Sequence, residues 1–439
     1  MPDYFALSEP AHSPLKISET DCGDNGGLTK SHDFFRLNRC CLTRGHCFND
    51  SVAKPLTSEI DDLPSALLRV AAHIIQNATS ERPADALLRH ELKVRKVTRA
   101  DARDISQLVF DYYRWYSWLR HLHSLYPRIK LGKQLAQRFK ERPDSFTAES
   151  LLNNSVPPWT KEVMEVSEEW ARALQAAPDL WLRARLGQDQ SLREKLGIFE
   201  DFSVPGMPEA IRYDGEADLF RSEEFHAGEF ELQDIASQLV GMFCAPKPGE
   251  TWWDTCAGEG GKTLHLADLM HNKGLIWSTD RAEWRLKKLK LRASRAKCFN
   301  YRSALWDGGA KLPTKTKFDG ILIDAPCSGI GTWQRNPHAR WSTTPKDVAE
   351  LSVIQRQLLE RVAGAVKPGG KLIYSVCTLS NPETSEVADH FTSTHPEFEP
   401  LAIPAALAQA VQSEQPGQYW AWPQTLGGNG MFIAGWRKK

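Results

Sequence analysis

Apolar, β-branched runs that end abruptly in short polar turns recur along the C-terminal half of the chain. They are clearest in Phe318–Ile330 (FDGILIDAPCSGI) and Leu372–Ser380 (LIYSVCTLS). Such a run is the pattern of a strand buried on both faces whose C-terminal end opens into a site. Strands are predicted at Glu250–Asp254, Leu275–Asp280, Phe299–Ala304, Phe318–Asp324, Lys371–Val376 and Met431–Trp436. Helical periodicity lies between most of them, as in LQDIASQLVGMF and DVAELSVIQRQLLERVAGAV. This alternation predicts an α/β domain over residues 218–439, built on a mostly parallel, doubly wound sheet. The segment Lys367–Gly370 (KPGG) is expected to be a tight turn entering a strand.

Upstream the period becomes helical. Leu67, Leu68, Ala71, Ile74 and Ile75 fall on one face, as do Ile105, Leu108, Val109, Tyr112 and Tyr116, so residues 57–145 are expected to form an all-helical domain. Prolines and tryptophan-bearing segments follow, with a strand-like piece at Leu180–Leu186, and residues 146–217 read as a small α+β linking module. Residues 1–56 are rich in Ser, Asp, Gly and Asn without a sustained period, and are expected to be a disordered leader.

Composition narrows the class without choosing a partner. With 41% hydrophobic and 25% charged residues in 439, the chain reads as soluble and globular. Lys plus Arg and Asp plus Glu number 55 each, so any nucleic-acid surface must come from local clustering. The segments RHELKVRKVTRADARD and PRIKLGKQLAQRFKER are such clusters, interleaved with Tyr112, Tyr113, Trp115, Tyr116 and Trp118. A basic, aromatic-bearing helical domain suits a grip on an RNA backbone, although aromatics in this pattern are more simply core residues beneath a solvated basic face. No apolar run approaches the ~18 to 20 residues of a membrane span, so no membrane partner and a cytoplasmic location are expected. Nine scattered cysteines, with no C-x-x-C pair in the leader that carries Cys22, Cys40, Cys41 and Cys47, suit free thiols in a reducing compartment; no metal site is expected.

The candidate chemistry sits at the predicted strand ends. The first strand runs into Asp254–Leu269, whose Gly258, Gly260 and Gly261 let the backbone turn sharply before a helix N-terminus. The spacing is neither a Walker loop nor G-x-G-x-x-G. Four consecutive strand ends carry an acid, Asp254, Asp280, Asp307 and Asp324. Asp280 is placed to accept from a ribose diol and Asp307 to lie near an adenine. Cys327 and Cys377, at the ends of two strands of one sheet, can work on a single bound substrate.

DTCAGEGGKT, LIDAPCSGIGTWQRNPHARW and YSVCTLSNPETSEV resemble three signature motifs of the RNA cytosine-C5 methyltransferases, the RsmB/Nop/Sun group. LFRSEEFHAGEFELQDIASQLV and the closing GGNGMFIAGWRKK continue the resemblance, and RPADALLRHEL with SQLVFDYYRW is similar to the family's NusB-like RNA-binding domain. The resemblance implies a Rossmann-like class I methyltransferase domain that binds S-adenosyl-L-methionine through Cys256, Ala257, Gly258, Glu259, Gly260, Gly261, Lys262, Asp280, Asp307 and Asp324. Where the family usually has alanine-proline before the paired glycines, this chain has Gly258-Glu259, which adds a negative charge and gives up the stiffness of proline.

Carbon 5 of cytosine attacks a sulfonium methyl only after a thiolate has added at carbon 6. The resemblance makes Cys377 that nucleophile, Cys327 the residue that assists release, and Asp324 a hydrogen-bond partner of the base. A cysteine of ordinary pKa, ~8.5, is mostly protonated at neutral pH, and Lys262 is a candidate activating cation. Arg335 and Arg340 are expected on a substrate-facing loop, available for phosphate. The reading is an S-adenosylmethionine-dependent RNA (cytosine-5)-methyltransferase, a monomer acting on rRNA rather than tRNA. The alternative is a non-catalytic RNA-binding or ribosome-assembly factor on the same fold.

Overall fold

Four helices, α1 (Ser65–Asn77), α2 (Ala84–Arg95), α3 (Arg99–Arg114) and α4 (Leu125–Glu141), begin the computed structural model, which describes residues 65–198 and 202–439. The leader expected over residues 1–56 lies outside the described residues. α3 starts where Thr98 caps it: the Thr98 hydroxyl oxygen accepts from the Asp101 N–H at 3.1 Å and its O–H donates to the Asp101 carboxylate at 2.8 Å. The faces read from periodicity are buried, with Leu67, Ile74, Ile105 and Val109 at 8% exposure or less. Tyr112, Tyr113 and Trp115 are buried with them, Trp115 against Phe139 and Phe146, so these aromatics are core.

A small antiparallel sheet follows, made by β1 (Leu180–Ala184), β2 (Ala210–Tyr213) and β3 (Phe230–Leu232) in the order β2-β1-β3. The predicted strand at Leu180–Leu186 stops at Ala184, before the turn through Gly187.

The large sheet comprises β4 (Thr251–Asp254), β5 (Leu275–Asp280), β6 (Tyr301–Leu305), β7 (Phe318–Asp324), β8 (Val366–Val376), β9 (Phe398–Pro400), β10 (Gln412–Gln415), β11 (Gln418–Ala421) and β12 (Met431–Lys438). Its order is β10-β11-β12-β8-β7-β4-β5-β6, with β9 on β12. Strands β4 to β8 are parallel, whereas β9 to β12 pair antiparallel. Alternate residues of the central strands fill two cores. Ile321, Ile323, Leu372 and Tyr374 pack on one face, and Leu322 and Ile373 pack on the other with Leu239, Phe243 and Leu264. Each such side chain contributes roughly 1.5 to 3 kcal/mol by leaving water. Gly320, inside β7, is required by close approach: a Cβ there would lie 2.3 Å from the Trp252 ring.

Two expectations are corrected here. The Lys367–Gly370 turn is a bulge inside β8, because the register jumps from Phe318↔Val366 to Gly320↔Lys371 and the intervening residues bow out opposite Asp319. The third strand begins at Tyr301 rather than Phe299, whose ring is 76% exposed.

A larger correction concerns Arg340. It is 0% exposed and donates to the carbonyls of Arg114 (3.3 Å), Ser155 (3.0 Å), Leu174 (2.9 Å) and Trp333 (3.3 Å). Arg114 ends α3, and the other three each follow a helical turn, Ala148–Asn154, Glu168–Ala173 and Ile330–Thr332. Helix ends leave carbonyls unsatisfied and partially negative, and one guanidinium collects four of them. Its charge is spent inside the protein, so it is not available for phosphate. Beside it Trp341 Nε1 donates to the Tyr113 carbonyl at 2.7 Å, and His338 meets the Tyr113 ring edge-on at 4.8 Å, so this loop staples the helical part to the large sheet.

Replacing Arg340 by methionine keeps much of the volume and removes every donor. Stability should fall by about 3 kcal/mol or more, read as a lower urea midpoint with an unchanged far-UV circular dichroism spectrum.

Candidate active site

The chain runs β4, β5, β6 toward one edge and then returns to place β7 against the other side of β4. That reversal is the topological switch point where open α/β sheets bind ligands, beyond the carboxyl ends of the strands. A cavity of about 2240 Å³ opens there, lined among others by Lys262, Asp280, Asp307, Asp324, Cys327 and Cys377.

Beyond β4 the chain passes through Thr255–Gly260 into the helix Gly261–Leu269. Gly258 and Gly260 have φ of 54° and 89°, a region costly for residues with a Cβ. The loop hangs on the neighbouring strand: Ala257 N–H donates to the Thr279 carbonyl at 2.8 Å and Gly258 N–H to Asp280 Oδ2 at 2.9 Å. Asp280 Oδ1 accepts from the Ala282 N–H at 2.8 Å. Each carboxylate oxygen retains acceptor capacity for a further donor, and a Cβ at Gly258 would meet nothing within 4 Å. Open backbone beside an acid on the cavity wall fits the ribose end of S-adenosylmethionine. Asp307 also lines the cavity, but its Oδ1 accepts from the Gly309 N–H at 2.8 Å and so shapes its own turn. The Glu259 charge is compensated, with Lys288 Nζ at 2.8 Å.

Under this loop Asp254 is fully buried. Its Oδ2 accepts from Thr263 Oγ1 at 2.7 Å, and its Oδ1 has no partner. Burial pushes the carboxyl up to about 7, against the Thr263 hydrogen bond, which pulls it down. The Cys256 thiol is pushed by burial up to about 12, which marks it as an inert wall group rather than a nucleophile.

Lys262, in the first turn of the helix after the loop, sets its Nζ 2.7 Å from Asp324 Oδ2, while Asp324 Oδ1 accepts from Ser375 Oγ at 2.9 Å. Burial pulls the Lys262 ammonium down, but the Asp324 carboxylate outweighs it, with smaller contributions from Cys377 and Asp254, and the net shift is upward. The cation therefore stays charged and fixes Asp324 at the end of β7.

Asp324 is opposite Ser375 across β7 and β8, and the turns beyond them bring Cys327 Sγ within 3.3 Å of Cys377 Sγ. Cys327, Cys377, Lys262 and the acids Asp254, Asp280, Asp307 and Asp324 are thus assembled on one cavity, whereas Arg340 is not. Cys327 is 6% exposed and Cys377 half-buried. The Cys327 thiol is held well above its ordinary range by its hydrogen bond with Cys377 and by burial. Arg335 reaches the cavity wall with its charge engaged, Nη2 to Asp234 Oδ2 at 2.9 Å. Ser375 and Glu383 were not read from sequence. Ser375 owes its place beside Asp324 to the register of β7 and β8, and Glu383 is buried in the turn after β8; neither residue type carries a local signal of such a position.

A Rossmann-like sheet with this strand-end constellation defines the class of S-adenosylmethionine-dependent methyltransferases. Residues 241–437 match the family model described as 16S rRNA methyltransferase RsmB/F. The chain is 34% identical over 306 residues to the probable ribosomal RNA small subunit methyltransferase B of Synechocystis sp., covering 65% of this chain and 67% of that protein. To the protein described in the same words from Bacillus subtilis it is 38% identical over 219 residues, 49% of each chain. The matches thus span about half to two thirds of these relatives' lengths. The crystal structure of PH0851 shares the fold, with a TM-score of 0.70 at 24% identity over 86% of this chain and 99% of that one. The chain belongs to the RsmB/F family of RNA methyltransferases.

The Asp254 carboxyl gives a pH test. Its folded pKa of about 7 lies above the unfolded value of about 3.9, so folding favours its protonated form. That contribution is fully present below about pH 4 and is lost as the pH rises through about 7. Asp254→Asn stays neutral throughout, so urea unfolding measured across this window should show a smaller loss of stability in the variant than in the wild type.

Proposed function

We propose that the chain methylates carbon 5 of a cytosine in small-subunit ribosomal RNA, through a covalent bond between Cys377 and carbon 6 of the base. The observation that carries this reading is the thiol pair, 3.3 Å apart, beside the Lys262–Asp324 ion pair at the switch point. S-adenosylmethionine, held by the Gly258–Gly261 loop and Asp280, supplies the methyl group. Apart from one water molecule, every other part belongs to this chain. Asp324, steadied by Lys262 and Ser375, hydrogen-bonds the pyrimidine edge and shares a proton at ring nitrogen 3. The Cys377 thiolate adds at carbon 6, and the electron pair released into the ring makes carbon 5 nucleophilic. After methylation a water molecule takes the proton on carbon 5, the electron pair left behind re-forms the bond between carbons 5 and 6 and expels Cys377 as the thiolate, and Cys327 assists this release. The base must be single-stranded or flipped out, because a thiol cannot reach carbon 6 within a stack.

On this reading residues 57–145 are an RNA-binding domain, 146–217 a linking module and 218–439 the catalytic domain of a cytoplasmic monomer. The matching relatives are described as acting on small-subunit ribosomal RNA, which supports rRNA over tRNA. Among the described residues no helix is long and apolar enough to cross a membrane.

With small-subunit rRNA and S-adenosylmethionine, Cys327→Ala should accumulate a protein–RNA species that survives denaturing electrophoresis, and the double variant with Cys377→Ala should form none. A wild type that transfers no methyl group, together with a Cys327→Ala variant that traps nothing, would overturn the reading.

A further inference from the structure

The turn that follows Cys377 buries an acid. Glu383, in the helical turn Asn381–Glu383, is 0% exposed, yet its carboxylate is crowded with donors. Oε1 accepts from the Ser328 N–H at 2.8 Å and from Gln355 Nε2 at 3.1 Å. Oε2 accepts from the hydroxyls of Ser328 at 2.5 Å, Ser380 at 2.8 Å and Thr378 at 3.2 Å. Its own carbonyl accepts from Tyr374 Oη at 2.6 Å, which pins the turn to β8. Ser328 directly follows Cys327, and Thr378 directly follows Cys377. One carboxylate therefore ties together the two backbones that present the thiols, and the Ser328 and Thr378 hydroxyls also meet at 2.9 Å.

Isolated acids are rarely kept in a core. Burial is the largest influence on Glu383 and leaves its carboxyl raised overall, against the hydrogen bonds from Ser328, Ser380 and Gln355 that favour the ionised form. Its charge also bears on Cys327, whose thiol is raised first by the bond to Cys377, then by burial, with Glu383 a smaller contributor.

We infer that Glu383 is the positioning residue of the thiol pair, its buried carboxyl clamping the turns after Cys327 and Cys377 in register. The inference rests on the roles proposed for the two cysteines, but it is tested on the thiols themselves. Glutamine at this position can take the two N–H donors on its oxygen and give its amide hydrogens to the hydroxyls, preserving the clamp without the charge; alanine removes both.

The experiment labels full-length wild type, Glu383→Gln and Glu383→Ala with iodoacetamide between about pH 6 and 9, without RNA. Each cysteine is quantified by mass spectrometry, and methyl transfer is measured in parallel. In Glu383→Ala, kcat should fall about 100-fold, the usual cost of an ångström-scale misplacement, with KM for the methyl donor little changed. In Glu383→Gln, kcat should recover most of that loss and the labelling profiles of Cys327 and Cys377 should stay close to wild type, whereas in Glu383→Ala both profiles should change as the turns part. Wild-type turnover or wild-type labelling of both thiols in Glu383→Ala, or turnover in Glu383→Gln as low as in Glu383→Ala, would overturn the inference. If the alanine variant fails to fold, turnover in the glutamine variant alone decides, and a loss of about 100-fold there overturns the inference. A wild type without methyl transfer would defeat the proposed function and leave the labelling result to decide the role of Glu383.

Discussion

The site depends on the register in which β7 and β8 pair. Parallel alignment sets Asp324 opposite Ser375, so both strands end level and their turns emerge side by side. A slip of one residue would turn every side chain of the moved strand to the other face, sending Asp324 or Ser375 into a core and parting the thiols. The register is held by residues that alternate between two cores, Ile321 and Ile323 against Leu322, and Leu372 and Tyr374 against Ile373. The bulge at Lys367–Gly370 matters for the same reason. It absorbs the extra residues of β8 at the far end of the strand, where Lys367 pairs with Asp319 at 2.8 Å, and leaves the functional end unshifted.

Much of this was legible in the sequence because buried parallel strands announce themselves as continuous apolar runs. Phe318–Asp324 and Leu275–Asp280 were read to the residue, and the Cys, Asp and Gly positions at their ends followed. The strand at the antiparallel edge, β10, was not read, and the reason is physical. Gln412–Gln415 is QSEQ, a strand formed by backbone pairing with β11 rather than by an apolar pattern. Arg340 was misread because an arginine in a polar loop has no local mark of burial. Its partners, the carbonyls of Arg114, Ser155, Leu174 and Trp333, are spread over more than half of the described chain. Glu383 escaped notice likewise, since its hydrogen bonds join two turns from different strands.

The Arg340 staple also links fold to site. The loop that carries it begins at Arg335, which is anchored to Asp234 at the cavity, and ends at Trp341, which bonds to the end of α3. A single stretch of chain thus spans from the cavity wall to the helical core. The side of the cavity formed by Phe110 and Arg103 is carried on that same core. Fixing the loop by four carbonyls and two aromatic contacts makes the relative placement of the two parts a property of buried hydrogen bonds rather than of surface charge, which salt would screen.

The charges around the cavity are segregated. Asp280, Asp307 and Glu259 cluster beyond the ends of β4, β5 and β6, where a cationic sulfonium is favoured and a phosphate is not. Glu259 is answered by Lys288, and Asp280 is approached by Arg285 at 4.0 Å, which limits the excess without cancelling it. The thiols stand on the β7 and β8 side, separated from that cluster by the Lys262–Asp324 pair. A polyanion entering over the acidic half would meet repulsion. The same lysine thus fixes Asp324 at the end of β7 and stands between the acidic cluster and the thiols.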